Sequence, residues 1–232
     1  MNQENQPLHS PAGQGPAAGP QQPVQRTPTN NPEAEKSGHG RIASTLSTIG
    51  ILLLAPIIAI LLTAFVFQSY QVDGPSMQTT LFNNDRLIVW KLPRTWARIT
   101  HHQYVPKRGD VIIATESGLA NYGDAQDTKQ LVKRVIGLPG DRIVIKDNAI
   151  TVYNKQNPNG FNPDKTLAYN ADGHIPPTTN NEDVTVGKDE LFICGDNRGD
   201  SLDSRIFGPI KTNQVVGKLV LRIFPINEVK KF

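Results

Sequence analysis

The hydrophobic pattern divides the chain into three parts. Up to about residue 40, large apolar side chains are almost absent, and Pro, Gln, Asn and Gly dominate. An uncharged, mostly apolar run follows from Ile42 to Val72, and short apolar runs separated by polar turn residues fill the remainder. These patterns predict a disordered tail over 1–41, a transmembrane anchor over 42–70 and a β domain over 71–232.

The apolar run has the length and composition of a membrane span. Its densest part, Ile49–Phe67, approaches the roughly 20 residues that a spanning helix needs, and Pro56 is tolerable there. A cleaved signal peptide fits poorly, because the leader and the run are too long and no small-x-small cleavage site follows. Lys36 and Arg41 precede the run and only Asp73 follows closely, which predicts a single-pass protein of the cell membrane with a cytoplasmic N-terminus.

The short apolar runs after residue 71 are typical of strands. They are rich in β-branched residues, and no convincing amphipathic helix interrupts them, so we expect a mainly β, antiparallel extracytoplasmic domain. Asp147-Asn148 is typical of a hairpin turn, and the region of about 142–190 looks like a small loop-rich excursion. The predicted strands are Arg86–Trp90, Asp110–Ala114, Leu131–Gly137, Arg142–Ile145, Ala149–Tyr153, Glu190–Cys194 and Val215–Phe224.

Composition excludes several function classes. The net charge of +3 is weak and its Lys and Arg residues are scattered among acids, which argues against a nucleic-acid partner. A single cysteine, Cys194, rules out an intrachain disulfide framework and a multi-cysteine metal site. The five histidines lack metal-ligand spacing, so we expect neither a metal nor a cofactor.

A candidate nucleophile, Ser76, stands in Gly74-Pro75-Ser76-Met77 just past the apolar run. A serine hydroxyl attacks well only when a base takes its proton. Lys133 could serve as that base, because apolar neighbours on its strand would favour the neutral amine. The alternatives are that the serine merely occupies a turn and that Lys133 protects an edge strand from aggregation.

A polar stretch between two apolar strands, Gly195–Arg205, is a third candidate. It could form a structured wall of the site, in which Asp203 pairs with Arg205 and Ser201 makes a hydrogen bond. It could equally be a plain surface loop.

Taken together and in this order, these stretches resemble a bacterial type I signal peptidase, or leader peptidase, of the Ser-Lys serine protease family. The resemblance covers about Gln71 to Pro225. Its matching pieces are Val72-Asp73-Gly74-Pro75-Ser76-Met77 with Thr80-Leu81; Arg108-Gly109-Asp110-Val111; Lys133-Arg134-Val135-Ile136-Gly137 with Pro139-Gly140-Asp141; and Gly195-Asp196-Asn197 with Ser201, Asp203, Ser204 and Arg205.

The resemblance implies a membrane-anchored endopeptidase that removes signal peptides from exported preproteins after small residues, of the Ala-x-Ala type. Ser76 would be the nucleophile and Lys133 the general base. Ser201 would orient the lysine amine, Asp203 and Arg205 would hold the site with Arg134 nearby, and Met77, Leu81 and Val132 would lie in or near the substrate pockets. The substrate would add a strand to the site. The membrane and the secretion machinery are the further expected partners.

Two positions depart from the family pattern. Gly74 stands where some members have a serine whose hydroxyl completes the oxyanion hole. The donor that acts beside the Ser76 N–H would then have to be another backbone N–H or a water molecule. Thr79 stands where the family usually has proline. Two other hypotheses are a self-cleaving Ser-Lys repressor, which the membrane run disfavours, and a non-catalytic anchored β module that binds exported proteins.

Overall fold

The structure, a computed structural model, describes residues 38–124 and 126–232, with side chains from residue 48 onward except 49. Helix α1 spans Gly38–Phe65 and contains Pro56. The helix therefore begins inside the predicted tail of 1–41, and the remainder of that tail lies outside the described residues. Over the part of the chain that the structure describes, no helix combines the length and the apolarity needed to cross a membrane.

A mainly β body follows α1. Its helices are short: α2 (Leu92–Ile99), α3 (Pro163–Thr166) and α4 (Ser204–Phe207). Its strands are β1 (Phe67–Gln71), β2 (Arg86–Trp90), β3 (Val111–Glu116), β4 (Lys129–Gly137), β5 (Arg142–Lys146), β6 (Ala149–Tyr153), β7 (Glu182–Thr185), β8 (Glu190–Cys194), β9 (Ile210–Lys211), β10 (Val215–Phe224) and β11 (Lys230–Lys231).

The strands form two sheets in which the neighbouring strands run antiparallel. The larger sheet has the order β1-β2-β10-β3-β4-β8-β9, with β11 beside β10, and the smaller has the order β6-β5-β7. The predicted antiparallel β class is thus confirmed, as are the predicted strands. Asp147 and Asn148 both have positive φ, which a two-residue type I′ hairpin turn requires, so the predicted turn between β5 and β6 is also confirmed.

Two predictions about local structure were wrong. The anchor was predicted to reach residue 70, but α1 ends at Phe65 and the next residues form β1, whose backbone pairs with β2 from Phe67↔Trp90 to Gln71↔Arg86. The absence of an amphipathic helix was also predicted, yet α2 is strongly amphipathic. Its Pro93 lies in the first turn, where a backbone N–H would have no partner within the helix. The proline is therefore compatible with the start of a helix, although it would interrupt a strand.

The excursion at 142–190 contains more regular structure than its polar composition suggested. It holds the smaller sheet, and β7 was not among the predicted strands. Ile143, Ile145, Ile150 and Val152 alternate along β5 and β6 and are fully or almost fully buried in one hydrophobic cluster. The smaller sheet therefore packs its apolar face against Ile136 of β4 and Phe192 of β8 in the larger sheet.

Another hydrophobic cluster lies under the candidate nucleophile. Met77 and Leu81 pack there with Val72, Leu87, Val111 and Leu219, which come from β2, β3 and β10 and from the turn itself. Burial of Met77 and Leu81 fixes the turn onto the larger sheet, since withdrawing each side chain from water is worth about 1.5–3 kcal/mol. Ser76 is therefore held beside β4 by the side chains that follow it.

Candidate active site

The turn that carries Ser76 begins with a backbone conformation that favours glycine. Gly74 has φ of +93°, and its N–H donates to Asn83 Oδ1 at 3.1 Å. The carbonyl of Met77 then accepts from the N–H groups of Thr80 and Leu81, which closes one helical turn. Among the described residues, no acceptor pairs with the N–H of Ser76. That donor is therefore free beside the hydroxyl.

Lys133 lies at the centre of β4, opposite Ile112 of β3, and only 3% of its surface is exposed. Its Nζ donates a hydrogen bond to Ser76 Oγ at 2.7 Å. Burial lowers the pKa of Lys133 to about 8, and the nearby carboxylate of Asp203 partly opposes that effect. The structure thus brings the two residues into direct contact and makes the neutral amine accessible near physiological pH.

Arg134, the next residue on β4, points away from Lys133 into a second buried network. Its guanidinium binds Asp196 through two hydrogen bonds of 2.7 and 2.5 Å, and it donates to the carbonyl of Gly109 at 2.7 Å. Its charge also lies 4.3 Å from the ring centroid of Tyr169. Asp196, fully buried, accepts a further hydrogen bond from Thr80 Oγ1 at 2.5 Å.

Asp203 and Arg205 form the other buried ion pair. Two hydrogen bonds of 2.9 and 2.7 Å join them, and Asp203 Oδ2 also accepts from the N–H of Gly195 at 2.8 Å. Arg205 donates to the carbonyl of Arg198 at 2.6 Å. The stretch Gly195–Arg205 is therefore a cross-linked wall rather than a plain surface loop. Arg134 binds Asp196 in this wall, not the Asp203–Arg205 pair.

The wall touches the nucleophile turn directly. The N–H of Asn197 donates to the carbonyl of Ser76 at 3.0 Å, and its side-chain amide donates to the carbonyl of Pro75 at 3.2 Å. A Cβ on Gly195 would lie 2.3 Å from the Ser76 carbonyl oxygen and 2.2 Å from Ser201 Oγ. Only glycine fits between them. Ser201 Oγ is buried and has no hydrogen-bond partner among the described residues.

A groove of about 530 Å³ opens beside Ser76 and Lys133. Val132 lines it together with Met77, of which only 1% is exposed, whereas Leu81 is fully buried beneath the turn and does not line it. β4 pairs with β8 only from Arg134 onward, so the edge of Lys129–Lys133 opposite β3 is open to this groove. An open strand edge can accept another strand.

Sequence reasoning missed several polar residues of the site. Asp196 was part of a matching motif, and its position between Gly195 and Asn197 was the only available signal. His174, whose ring contacts Thr80 Oγ1 at 3.0 Å, comes from the 142–190 region and had no signal at all. Arg198 pairs with Asp164 of α3, which ties the wall to that same region.

The chain is similar to a family of known proteins over most of its length. A family model described as "Signal peptidase, peptidase S26" matches residues 45–224. The chain belongs to this signal peptidase family. Signal peptidase I of Bacillus licheniformis is 31% identical over 85% of this chain and 98% of its own, and signal peptidase I P of Bacillus subtilis subsp. natto is 33% identical over 81% and 94%.

A solved structure of a signal peptidase I from Enterococcus faecalis V583 also matches, with 26% identity over 51% of this chain and 99% of that chain. Its TM-score of 0.38 is too low to support a structural argument. The family alone confirms that the chain is a type I signal peptidase, a serine protease that removes signal peptides from preproteins. The hypotheses of a repressor and of a non-catalytic module are thereby set aside.

The contact at Gly195 leads to a first prediction. In Gly195→Ala the new methyl group must push the Ser76 carbonyl or Ser201 aside, because both lie within 2.3 Å of its position. We expect a loss of about 1–3 kcal/mol in stability and a fall of about 100-fold in acylation of Ser76 by a serine-directed probe. The rate of labelling and the unfolding midpoint measure the two effects.

Gly199→Ala is the matched control, since a Cβ there has no neighbour within 4 Å. It should leave both measurements nearly unchanged. Labelling of Gly195→Ala at the wild-type rate would show that the close approach of the wall to Ser76 is unimportant.

Proposed function

We propose that this signal peptidase works through a Ser76–Lys133 dyad. The observation that carries the proposal is the 2.7 Å contact between Lys133 Nζ and Ser76 Oγ in a buried setting. The neutral amine takes the Ser76 proton as Oγ attacks the carbonyl carbon of the scissile bond, and then gives that proton to the leaving amine. A water molecule, deprotonated by the same amine, hydrolyses the resulting ester and frees the signal peptide.

The oxyanion of the tetrahedral intermediate would bind the free N–H of Ser76. Gly74 offers no hydroxyl, so the other donor is a backbone N–H or a water molecule. The hydroxyl of Ser201, buried and without another partner, is suited to orient the lysine amine. The ion pairs of Arg134 with Asp196 and of Asp203 with Arg205 hold the wall in place around the dyad.

The substrate would enter the groove as an added strand along the open edge of β4. Alternate side chains of a strand point to the same face, so the residues at −1 and −3 would face the groove wall together. Met77 and Val132 contribute to the lining of the groove, and Leu81 packs beneath Met77. Small side chains at −1 and −3, as in Ala-x-Ala, fit such shallow apolar surfaces, whereas larger ones do not.

The proposal includes a membrane anchor at the N-terminal end of the body. Its support is the uncharged run from Ile42 to Val72, preceded by Lys36 and Arg41, and the many exposed apolar side chains between Ile51 and Phe65. The tail would lie in the cytoplasm and the catalytic body on the extracytoplasmic side. A preprotein delivered by the secretion machinery would be held in the same membrane by its own apolar segment. Its cleavage site would then lie near the groove.

The dyad is tested by removing each member. Ser76→Ala and Lys133→Ala should each lower preprotein cleavage by about 10³-fold or more, because either change removes the nucleophile or its base. The exposed residues Ser117 and Lys146 provide matched controls, and Ser117→Ala and Lys146→Ala should cleave like the wild type. Wild-type turnover by either dyad variant would refute the mechanism.

The pKa of Lys133 predicts the dependence of the rate on pH. The protonated amine cannot accept the Ser76 proton, so kcat/KM should rise about tenfold per pH unit below about 8 and level off above that value. The measurement is a kcat/KM profile between about pH 6 and about pH 10, where such an amine titrates. A flat profile across that range would exclude Lys133 as the base.

Specificity is tested with preproteins that differ at one position. Replacing the alanine at −1 by leucine or phenylalanine should lower kcat/KM by about 100-fold, because the larger side chain cannot enter the groove wall. The same replacements at −2 are the control, since that side chain of an extended substrate points away from the wall. Equal losses at −1 and −2 would contradict the proposed strand geometry.

A further inference from the structure

Helix α2 has an inverted pattern of burial. Its apolar residues Leu92, Trp96 and Ile99 recur at helical spacing on one face, and they are 41, 64 and 66% exposed. The residue that α2 buries against the body is the small Ala97. A surface helix normally turns its apolar face inward, so this face is expected to have another partner.

Further exposed aromatic side chains lie at the same end of the sheet. Phe67 and Trp90 are paired residues of β1 and β2, and they are 43 and 37% exposed. α2 begins directly after β2, and Thr95 Oγ1 donates to the carbonyl of Phe65 at 3.0 Å. The exposed face of α2 is therefore continuous with the end of α1, the segment proposed as the anchor.

Unpaired cations accompany this face. A hollow of about 410 Å³ between α2 and the end of α1 is lined by Lys91, Arg94 and Arg98, and no carboxylate lines it. Neither arginine has an acidic partner among the described residues. Burial and the neighbouring charge of Arg98 lower the pKa of Arg94, and Tyr70 partly opposes that effect.

We infer that α2 is an interfacial helix that binds anionic phospholipid headgroups at the outer surface of the membrane. Leu92, Trp96 and Ile99 would lie among the acyl chains near the glycerol level, and Arg94 and Arg98 would bind the phosphates. Apolar and aromatic residues on one face with arginines beside them are the pattern of helices that lie in the interface. The inference rests on the proposed anchor, because the anchor brings α2 to the bilayer.

The test uses the full chain with Trp90→Phe, so that Trp96 is the only tryptophan. The protein is reconstituted into vesicles of phosphatidylcholine with rising fractions of phosphatidylglycerol, and both lipids carry bromine on the acyl chains to quench nearby indole. Trp96 should be quenched, and more strongly as the anionic fraction rises. Arg94→Gln with Arg98→Gln should weaken the partition of α2 about fivefold per arginine and require more anionic lipid for the same quenching.

The matched control is Lys146→Gln with Lys188→Gln, which removes the same charge from exposed positions of the body distant in sequence from α2. It should quench like the parent. Quenching no greater than that of the detergent-solubilised protein, or quenching insensitive to the two arginines, would overturn the inference. Protection of Trp96 only when another protein is added would assign the face to a protein partner instead.

The outcome is separable from that of the proposed function. Flotation of the vesicles tests the anchor, and preprotein cleavage in detergent tests the dyad without any bilayer. A chain that floats and cleaves but leaves Trp96 unquenched would refute only the role of α2. A chain that cleaves but does not float would refute the anchor and, with it, this inference.

Discussion

The site depends on a lysine amine that is withdrawn from water and held against a serine hydroxyl. An ammonium group in such a place loses its hydration, and this loss lowers the pKa of Lys133 to about 8. At pH 7 about one amine in ten is then neutral, compared with fewer than one in a thousand for a lysine in water. In the proposed mechanism, the apolar strands around β4 therefore contribute to the chemistry, because they make the lysine available as a base.

The buried charges nearest to Lys133 are each paired or hydrogen-bonded. Arg134 with Asp196 and Asp203 with Arg205 are buried ion pairs, and each carboxylate also accepts from a neighbour, Thr80 or the N–H of Gly195. Buried pairs of this kind add little net stability, but losing one partner costs about 3–5 kcal/mol. Their value here is geometric, because they prevent the wall and the turn from taking other arrangements around the dyad.

The sequence was informative where local patterns decide the outcome. β-branched runs predicted the strands from Arg86 to Phe224, and Asp147-Asn148 predicted its turn, because side-chain alternation and positive φ act within a few residues. The dyad partners were suggested by the apolar neighbours of Lys133, and the resemblance of several motifs then favoured them over the alternatives. Neither the packing of Asn197 on Ser76 nor the contact of His174 with Thr80 has a local signature. These contacts join residues about a hundred positions apart, and only the completed fold brings them together.

The errors at β1 and α2 have different causes, and the observed hairpin leads to a geometric conclusion. β1 lies within the uncharged run, which is why the predicted anchor extended to residue 70, whereas the eight-residue helix α2 lies between two runs that are typical of strands. In the structure β1 runs from the end of α1 to the turn of Ser76, while β2 returns to α2.

Five residues of β1 at about 3.3 Å each separate the two ends of this hairpin by about 17 Å. If α2 lies at the headgroups, this paired hairpin, and not a flexible tether, holds the turn of Ser76 at least that far above them. A substrate leaving the membrane in extended form must then supply about five residues before its scissile bond, so the sheet would measure where a preprotein is cut.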